Sequence, residues 1–191
     1  METVSFTRMA DGTKEEYEFL ESLEADMLKG LPGRLFDMLT GGGDVMQGYK
    51  ITRLEHSLQS ATRAHRDGRD EDYVVMALLH DIGDGVAPMN HSELAGSILR
   101  PYVSEELYWM VRHHGMFQAY YFAHHLGMDR NLRDRHRDSP HFDATVEFCE
   151  KYDQNCFDPD YEYLPLEFFE PMVTRIFGRE PFSELKREQA A

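Results

Sequence analysis

Strand signals are almost absent from this chain of 191 residues. No run alternates apolar and polar residues between turn residues, and no Asn-Gly pair marks a hairpin, so sheet architectures are set aside. Long apolar runs are missing too. No window approaches the roughly eighteen consecutive apolar residues of a membrane span, and the opening METVSFTRMADGTKEEYEF has neither the basic nor the apolar segment of a secretory leader. A cytoplasmic protein away from any membrane is expected. Cysteine is scarce: Cys149 and Cys156 are the two present, without CxxC spacing, which excludes a disulfide framework and a zinc knuckle and leaves two ordinary thiols. Positive charge is also short, with 20 Lys and Arg against 35 Asp and Glu and a net charge of −15. Nucleic acid is excluded as a partner because phosphate backbones call for a basic face. A small anionic molecule remains admissible wherever metal ions and a few Arg or Lys converge.

What is present is helical periodicity. The length suits one domain, residues 1–191. Apolar residues at helical spacing predict a helix over Lys14–Leu31, stopped by Pro32-Gly33, and a short helix Arg34–Leu39 running into the flexible joint Gly41-Gly42-Gly43. Leu54, Leu58, Ala61 and Ala64 mark a helix from Thr52 to Asp67-Gly68. Asp70–Ile82 is nearly all apolar in its second half and belongs at the centre of the core. Asn90–Leu99, Ser104–His114 and Asp143–Asn155 follow, with an aromatic-rich stretch Phe117–Leu126 and a charge run Asp129–Arg137 whose arginines read as a solvated face. Leu166–Phe177 is a last helix, broken or kinked at Pro171, before a charged tail beyond Phe182. The predicted fold class is all-α, a helical bundle.

Ten histidines are the unusual abundance. His80-Asp81 closes the apolar run Met76-Ala77-Leu78-Leu79. Burying two ionisable neighbours there is costly unless a metal or a structural ion pair neutralises them. His56 lies on the helix upstream, His91 and His114 on helices downstream, and Asp153 on a later one. A bundle builds metal sites by projecting His and carboxylates inward from several facing helices, so dispersal along the chain is what such a site predicts. Four imidazoles and two carboxylates suffice for two metals if one Asp bridges, and these ligand types suit Fe, Mn, Zn, Co or Ni. Adjacent helical residues point about 100° apart, so one member of the pair His113-His114 can face the metals. His124-His125 reads as a partly exposed or core pair, and Phe117, Tyr120, Tyr121 and Phe122 as core, with one or two rings available to a pocket.

The order H…HD…H…H…D, with the words Leu54-Glu55-His56-Ser57-Leu58-Gln59, Ala77-Leu78-Leu79-His80-Asp81-Ile82-Gly83, Asn90-His91, Met110-Val111-Arg112-His113-His114 and Glu150-Lys151-Tyr152-Asp153, resembles the HD-domain superfamily. Within it the words resemble the mixed-valent diiron oxygenases, which cleave hydroxyphosphonates or inositol. The resemblance covers about residues 48–156. It implies a helical HD domain with two iron ions, Fe(II)/Fe(III), and O2 as co-substrate. His56, His80, Asp81 and Asp153 would hold one iron and His91 and His114 the second, with Asp81 bridging. Asp81, His91 and His114 would be the catalytic set, because the second iron keeps positions open to substrate.

The departures lie in the pocket. Met46 and Tyr49 stand where the phosphonate-cleaving members carry a Tyr and a Glu that cover the second iron. Asp84 stands where they carry a His and the inositol-cleaving members a Lys, and Gln118 stands where a phosphonate-binding Lys is found. Tyr49, Asp84, Gln118 and Tyr121 are therefore the expected substrate-facing residues. The expected reaction is oxidative cleavage of the C–P bond of a small 1-hydroxyphosphonate, amino or trimethylammonio, releasing phosphate. A metal-dependent phosphohydrolase acting on a nucleotide or other phosphate ester is the alternative, and a degenerate HD domain that only binds is a third reading.

Overall fold

A computed structural model describes residues 2–41 and 48–183, and among them every regular element is helical. The eight helices there are α1 (Lys14–Lys29), α2 (Leu31–Gly41), α3 (Arg53–Arg66), α4 (Glu71–Leu79), α5 (His91–Leu99), α6 (Glu105–Phe122), α7 (Phe142–Phe148) and α8 (Leu166–Phe177). Met46, part of the glycine joint and most of the charged tail lie outside the described residues. No described helix is long and apolar enough to cross a membrane.

Local chemistry sets the helix starts. Thr13, Thr52, Asp70 and Ser104 each accept a hydrogen bond from the backbone N–H three residues on, satisfying a donor that the first turn leaves free. At Thr13 and Thr52 the third residue is Glu16 or Glu55, whose carboxylate accepts from the cap's own N–H in return. The acidic first turn of α6, Glu105-Glu106, also suits the positive end of the helix dipole.

α4 is the hub. Val75, Met76, Ala77, Leu78 and Leu79 expose no surface, and the helix packs on α3, α6 and α8. A helix apolar all round has to be enclosed, and each fully buried Leu or Met contributes about 1.5–3 kcal/mol relative to an exposed one. α5 packs on α6, α6 on α7, and α2 on α8. After the last turn of Asp153, the non-helical stretch 154–165 runs back along α3. It is fastened where Gln59 donates to the Asp158 carbonyl at 2.8 Å, Arg63 to the Asn155 carbonyl at 3.2 Å, and the Leu164 N–H to the Thr62 hydroxyl at 2.9 Å.

Several expected boundaries shift. Pro32-Gly33 does not stop α1, which ends at Lys29; Pro32 falls in the first turn of α2, where its missing N–H costs nothing. α4 ends at Leu79 rather than Ile82, because the chain tightens into i→i−3 turns such as Ile82 N–H to Leu79 O and Asp84 N–H to Asp81 O, both 3.0 Å. α6 does not end at His114. It runs through Gly115 to Phe122, and a Cβ at Gly115 would lie 3.0 Å from the Ser92 hydroxyl, so that glycine serves close packing on α5 rather than a break. The expected helix over 143–155 is α7 followed by a π-helical turn, Cys149–Asp153. Pro171 lies inside an unbroken α8.

Replacing Thr52 by Ala removes one half of the reciprocal cap at the start of α3 and is expected to cost about 1 kcal/mol, with Thr52→Ser recovering most of it, read from urea denaturation midpoints. An unchanged midpoint would show that the stretch across α3, and not the cap, fixes this end.

Candidate metal centre

Five ionisable side chains meet in the interior beneath α4: His56 from α3, His80 and Asp81 from the turn after α4, His114 from α6 and Asp153 from the π-helical turn, all buried. His91, from the first turn of α5, joins them with its ring about a quarter exposed. The structure thus brings together all six residues expected as ligands. Three overlapping groups place their donor atoms within 4.8 Å of one another: His56, His80 and Asp81; His80, His114 and Asp153; Asp81, His91 and His114.

The two oxygens of Asp81 are divided. Oδ2 lies 3.5 Å from His56 Nε2 and 3.6 Å from His80 Nε2, while Oδ1 lies 3.0 Å from His114 Nε2 and 3.3 Å from His91 Nε2. Asp153 Oδ1 closes the first group, at 3.5 Å from His56 Nε2 and 3.8 Å from His80 Nε2. Neighbouring donors on one ion at about 2.1 Å stand roughly 3 Å apart, close to these separations.

Ring orientation favours metal over a proton network. A carbonyl can only accept, so each ring nitrogen facing one must carry the hydrogen. His56 Nδ1 donates to the Cys156 carbonyl at 2.9 Å, His80 Nδ1 to Ala77 at 2.7 Å, and His114 Nδ1 to Val111 at 2.6 Å. His91 Nδ1 faces Asp84 Oδ1 at 3.2 Å. Every Nε2 is thereby left with its lone pair turned inward, the outer bond that orients a metal-bound histidine. Two such lone pairs, on His56 and His80, face each other at 3.2 Å, and Asp153 Oδ2 is buried with no hydrogen-bond partner. Bound cations would take up the facing lone pairs and supply a partner for the orphaned carboxylate, so the donor set fits a metal centre.

Without a cation the same groups compete for protons. Burial works to raise the pKa of Asp81 and Asp153, yet the surrounding imidazoles outweigh it and hold both well below the usual carboxylate range. Burial pushes His56 down, but its contact with Asp153 and the charges of Asp81 and Asp153 prevail and hold it above its ordinary value. The cluster demands positive charge.

Two local devices bring His91 and Asp153 to the cluster. Gly83 touches α5: a Cβ there would come 2.9 Å from the His91 carbonyl oxygen and 3.1 Å from its Cα, so only a residue without a side chain lets the turn after Asp81 set His91 in position. The π-helical turn, with Gln154 N–H bonded to the Cys149 carbonyl at 2.9 Å, carries Asp153 to the cluster; π-turns of this kind recur at functional sites.

A cavity of about 390 Å³ opens beside His91 and His114. Tyr49, Asp84, Gln118 and Tyr121, the expected substrate-facing residues, all line it, together with Phe122 and Phe157. Tyr49 stacks on Phe157 at 5.2 Å between ring centres. Asp84 pairs with His91, and Gln118 donates to Asp153 Oδ1 at 3.0 Å, so both also support the cluster. A second cavity of about 330 Å³ lies on another side of Asp81, walled by Met38, Leu39, Ser57, Ile82 and Val86. His113 is elsewhere: it stacks on Trp109 at 4.0 Å, its Nδ1 donates to the Trp109 carbonyl, and burial lowers its pKa. His124 and His125 are exposed, and Phe117 is core. The arginine run is not wholly solvated, since Arg130 and Arg133 are half-buried over the Tyr120 ring at 4.0 and 3.6 Å. Both thiols are buried, and burial pushes Cys156 up to about 12 and Cys149 well above its usual value.

The sequence reading missed Arg53. Its guanidinium pairs with Asp81 through Nη1 and with Asp84 through Nη2. The signal was its place three residues before His56, on the same helical face.

The HD-domain family model matches residues 53–155, the stretch that holds all six converging side chains. The chain belongs to the HD-domain family. It is also similar to a [1-hydroxy-2-(trimethylamino)ethyl]phosphonate dioxygenase (glycine-betaine-forming) from Leisingera caerulea, at 31% identity over 102 residues, 48% of this chain and 51% of that protein. The match thus spans about half the length of the relative.

Asp81→Ala is expected to lose both metals, because it removes the group shared by the two histidine pairs, whereas His91→Ala or His114→Ala should keep one and His113→Ala both. Elemental analysis of metal per chain reads each outcome, and two metals retained in Asp81→Ala would end the bridging role. Gly83→Ala should behave like His91→Ala, since its methyl displaces the His91 backbone; full metal content there would show that the turn can yield.

Proposed function

We propose that the chain is a mixed-valent diiron oxygenase that cleaves the C–P bond of a small 1-hydroxyphosphonate, with a trimethylammonio or amino group on the neighbouring carbon. The observation that carries this reading is the division of Asp81 between two histidine pairs, with the second pair at the wall of a cavity. The name of the Leisingera relative supports the substrate class. Bound at these residues, two irons would supply one-electron chemistry and O2 activation at the carbinol carbon. The overall change is balanced: R–CH(OH)–PO3²⁻ and O2 give R–COO⁻, HPO4²⁻ and H⁺, the carbon being oxidised and O2 reduced.

The chain's own residues divide the remaining work. His56 and His80 form the closed, buried side of the centre, while His91, His114, Asp81 and Asp153 line the cavity that would receive substrate. His91 Nδ1 bonds the Pro88 carbonyl at 3.4 Å and lies 3.2 Å from Asp84 Oδ1, and the two together fix that ring. Tyr49, Phe157, Tyr121 and Phe122 give the cavity aromatic faces, which attract quaternary ammonium groups. The acidic character of the chain favours that cationic end as well.

Anaerobic iron loading, followed by EPR, oxygen uptake and ³¹P NMR with 2-trimethylammonio-1-hydroxyethylphosphonate, tests the reading. An Fe(II)/Fe(III) signal, oxygen consumption and stoichiometric phosphate support it. Activity with zinc, nickel or manganese on nucleotide phosphates, without oxygen uptake, would replace it with a hydrolase. The zwitterionic phosphonates should perturb the mixed-valent spectrum at lower concentration than inositol, and tighter inositol binding would remove the phosphonate assignment. Tyr49→Ala should raise KM for the trimethylammonio substrate by roughly 2- to 30-fold, as expected for one cation–π face. An equal rise for hydroxymethylphosphonate, which lacks the ammonium, would remove Tyr49 from that role.

A further inference from the structure

Among the described residues, the cavity beside His91 and His114 is walled by three carboxylates, Asp81, Asp84 and Asp153, and by a single Arg or Lys, Arg53. An anion that enters a chain of net charge −15 and passes three carboxylates needs a local cation besides any metal. Of the two amide side chains on its wall, Gln118 donates to Asp153 and Gln154 to the Glu150 carbonyl, and neither carries charge.

We propose that Arg53 binds the anionic end of the substrate, a phosphonate or chemically similar tetrahedral oxyanion, on an arm anchored by Asp84. The inference deepens the oxygenase reading and rests on it for the identity of the anion. Arg53 is the first residue of α3, where the helix dipole disfavours a cation, and the helix start is already satisfied by Thr52 and Glu55. Nothing in the helix itself calls for a guanidinium there. Its partners are Asp81 and Asp84, and its Nε is buried without a hydrogen-bond acceptor.

Asp81 is shared with four imidazoles, so multivalent cations that take up its oxygens weaken its hold on Arg53 and face the guanidinium with like charge. An oxyanion lying between Arg53 and those cations relieves that repulsion. Asp84 remains as the anchor through separate oxygens: Oδ2 holds Arg53 and Oδ1 lies 3.2 Å from His91 Nδ1. The one carboxylate therefore ties the anion-binding arm to a residue of the open metal group. The planar fork of Arg accepts two oxygens of a tetrahedral anion at once, which an ammonium does not.

The test is calorimetric titration of the metal-loaded protein with hydroxymethylphosphonate and, separately, inorganic phosphate, for wild type, Arg53→Gln and Arg53→Lys. Metal per chain and thermal midpoint are measured on each. The proposal expects Arg53→Gln to keep two metals and bind hydroxymethylphosphonate roughly 10- to 100-fold more weakly, the loss expected of a charge-assisted pair, with Arg53→Lys recovering part. Wild-type affinity in Arg53→Gln would overturn it. So would loss of metal in that variant, which would make Arg53 a support for Asp81. If wild type binds phosphate in an Arg53-dependent way but no phosphonate, the oxygenase substrate fails while the anion-binding role stands. If wild type binds neither, both fail.

Discussion

Everything in this molecule answers to one electrostatic problem: five ionisable side chains lie out of water at the end of a helix with no polar residue in its last six positions. Charged or strongly polar groups placed there without partners would cost several kcal/mol each. The solution is collective. Three carbonyls take the outer ring hydrogens, the inner ring nitrogens and two carboxylates converge, and the remaining demand is for cations. The flanking structure is arranged around meeting that demand. The turn after α4 tightens to aim His80 and Asp81, Gly83 admits α5, and a π-helical turn delivers Asp153.

The helical class and the six converging side chains were legible because both rest on patterns that survive in one dimension. Apolar spacing marks α3 and α4, and the cost of burying His80-Asp81 beside Leu78 and Leu79 is visible from composition alone. Helical phase allowed one of His113 and His114 to face the cluster, the family resemblance picked His114, and the structure sends the two rings to opposite surroundings. What was not legible depends on tertiary contact. The helix from Ser104 reads as ending at His114 until Gly115 is seen against Ser92, and Pro32 reads as a stop until a second helix is seen to begin at Leu31.

Arg53 was overlooked for a similar reason. From sequence it is one more charge at a helix start, and its partners lie 28 and 31 residues away in a turn whose geometry no local propensity specifies. The orienting carbonyls of Ala77, Val111 and Cys156 are invisible for a deeper reason: every residue has a carbonyl, and only the fold decides which ones are left facing a ring.

The bond from His56 to the Cys156 carbonyl joins positions 100 residues apart, and the remaining members of the cluster come from four separate stretches between them. Metal bound there would act as a clasp on most of the chain. Because the unfolded chain offers no such constellation, ion binding stabilises only the folded form, in proportion to the logarithm of free metal over its dissociation constant. Cellular metal supply would then govern how long each copy survives proteolysis, and scarcity would show first as a falling amount of protein, ahead of any fall in the activity of the copies that remain.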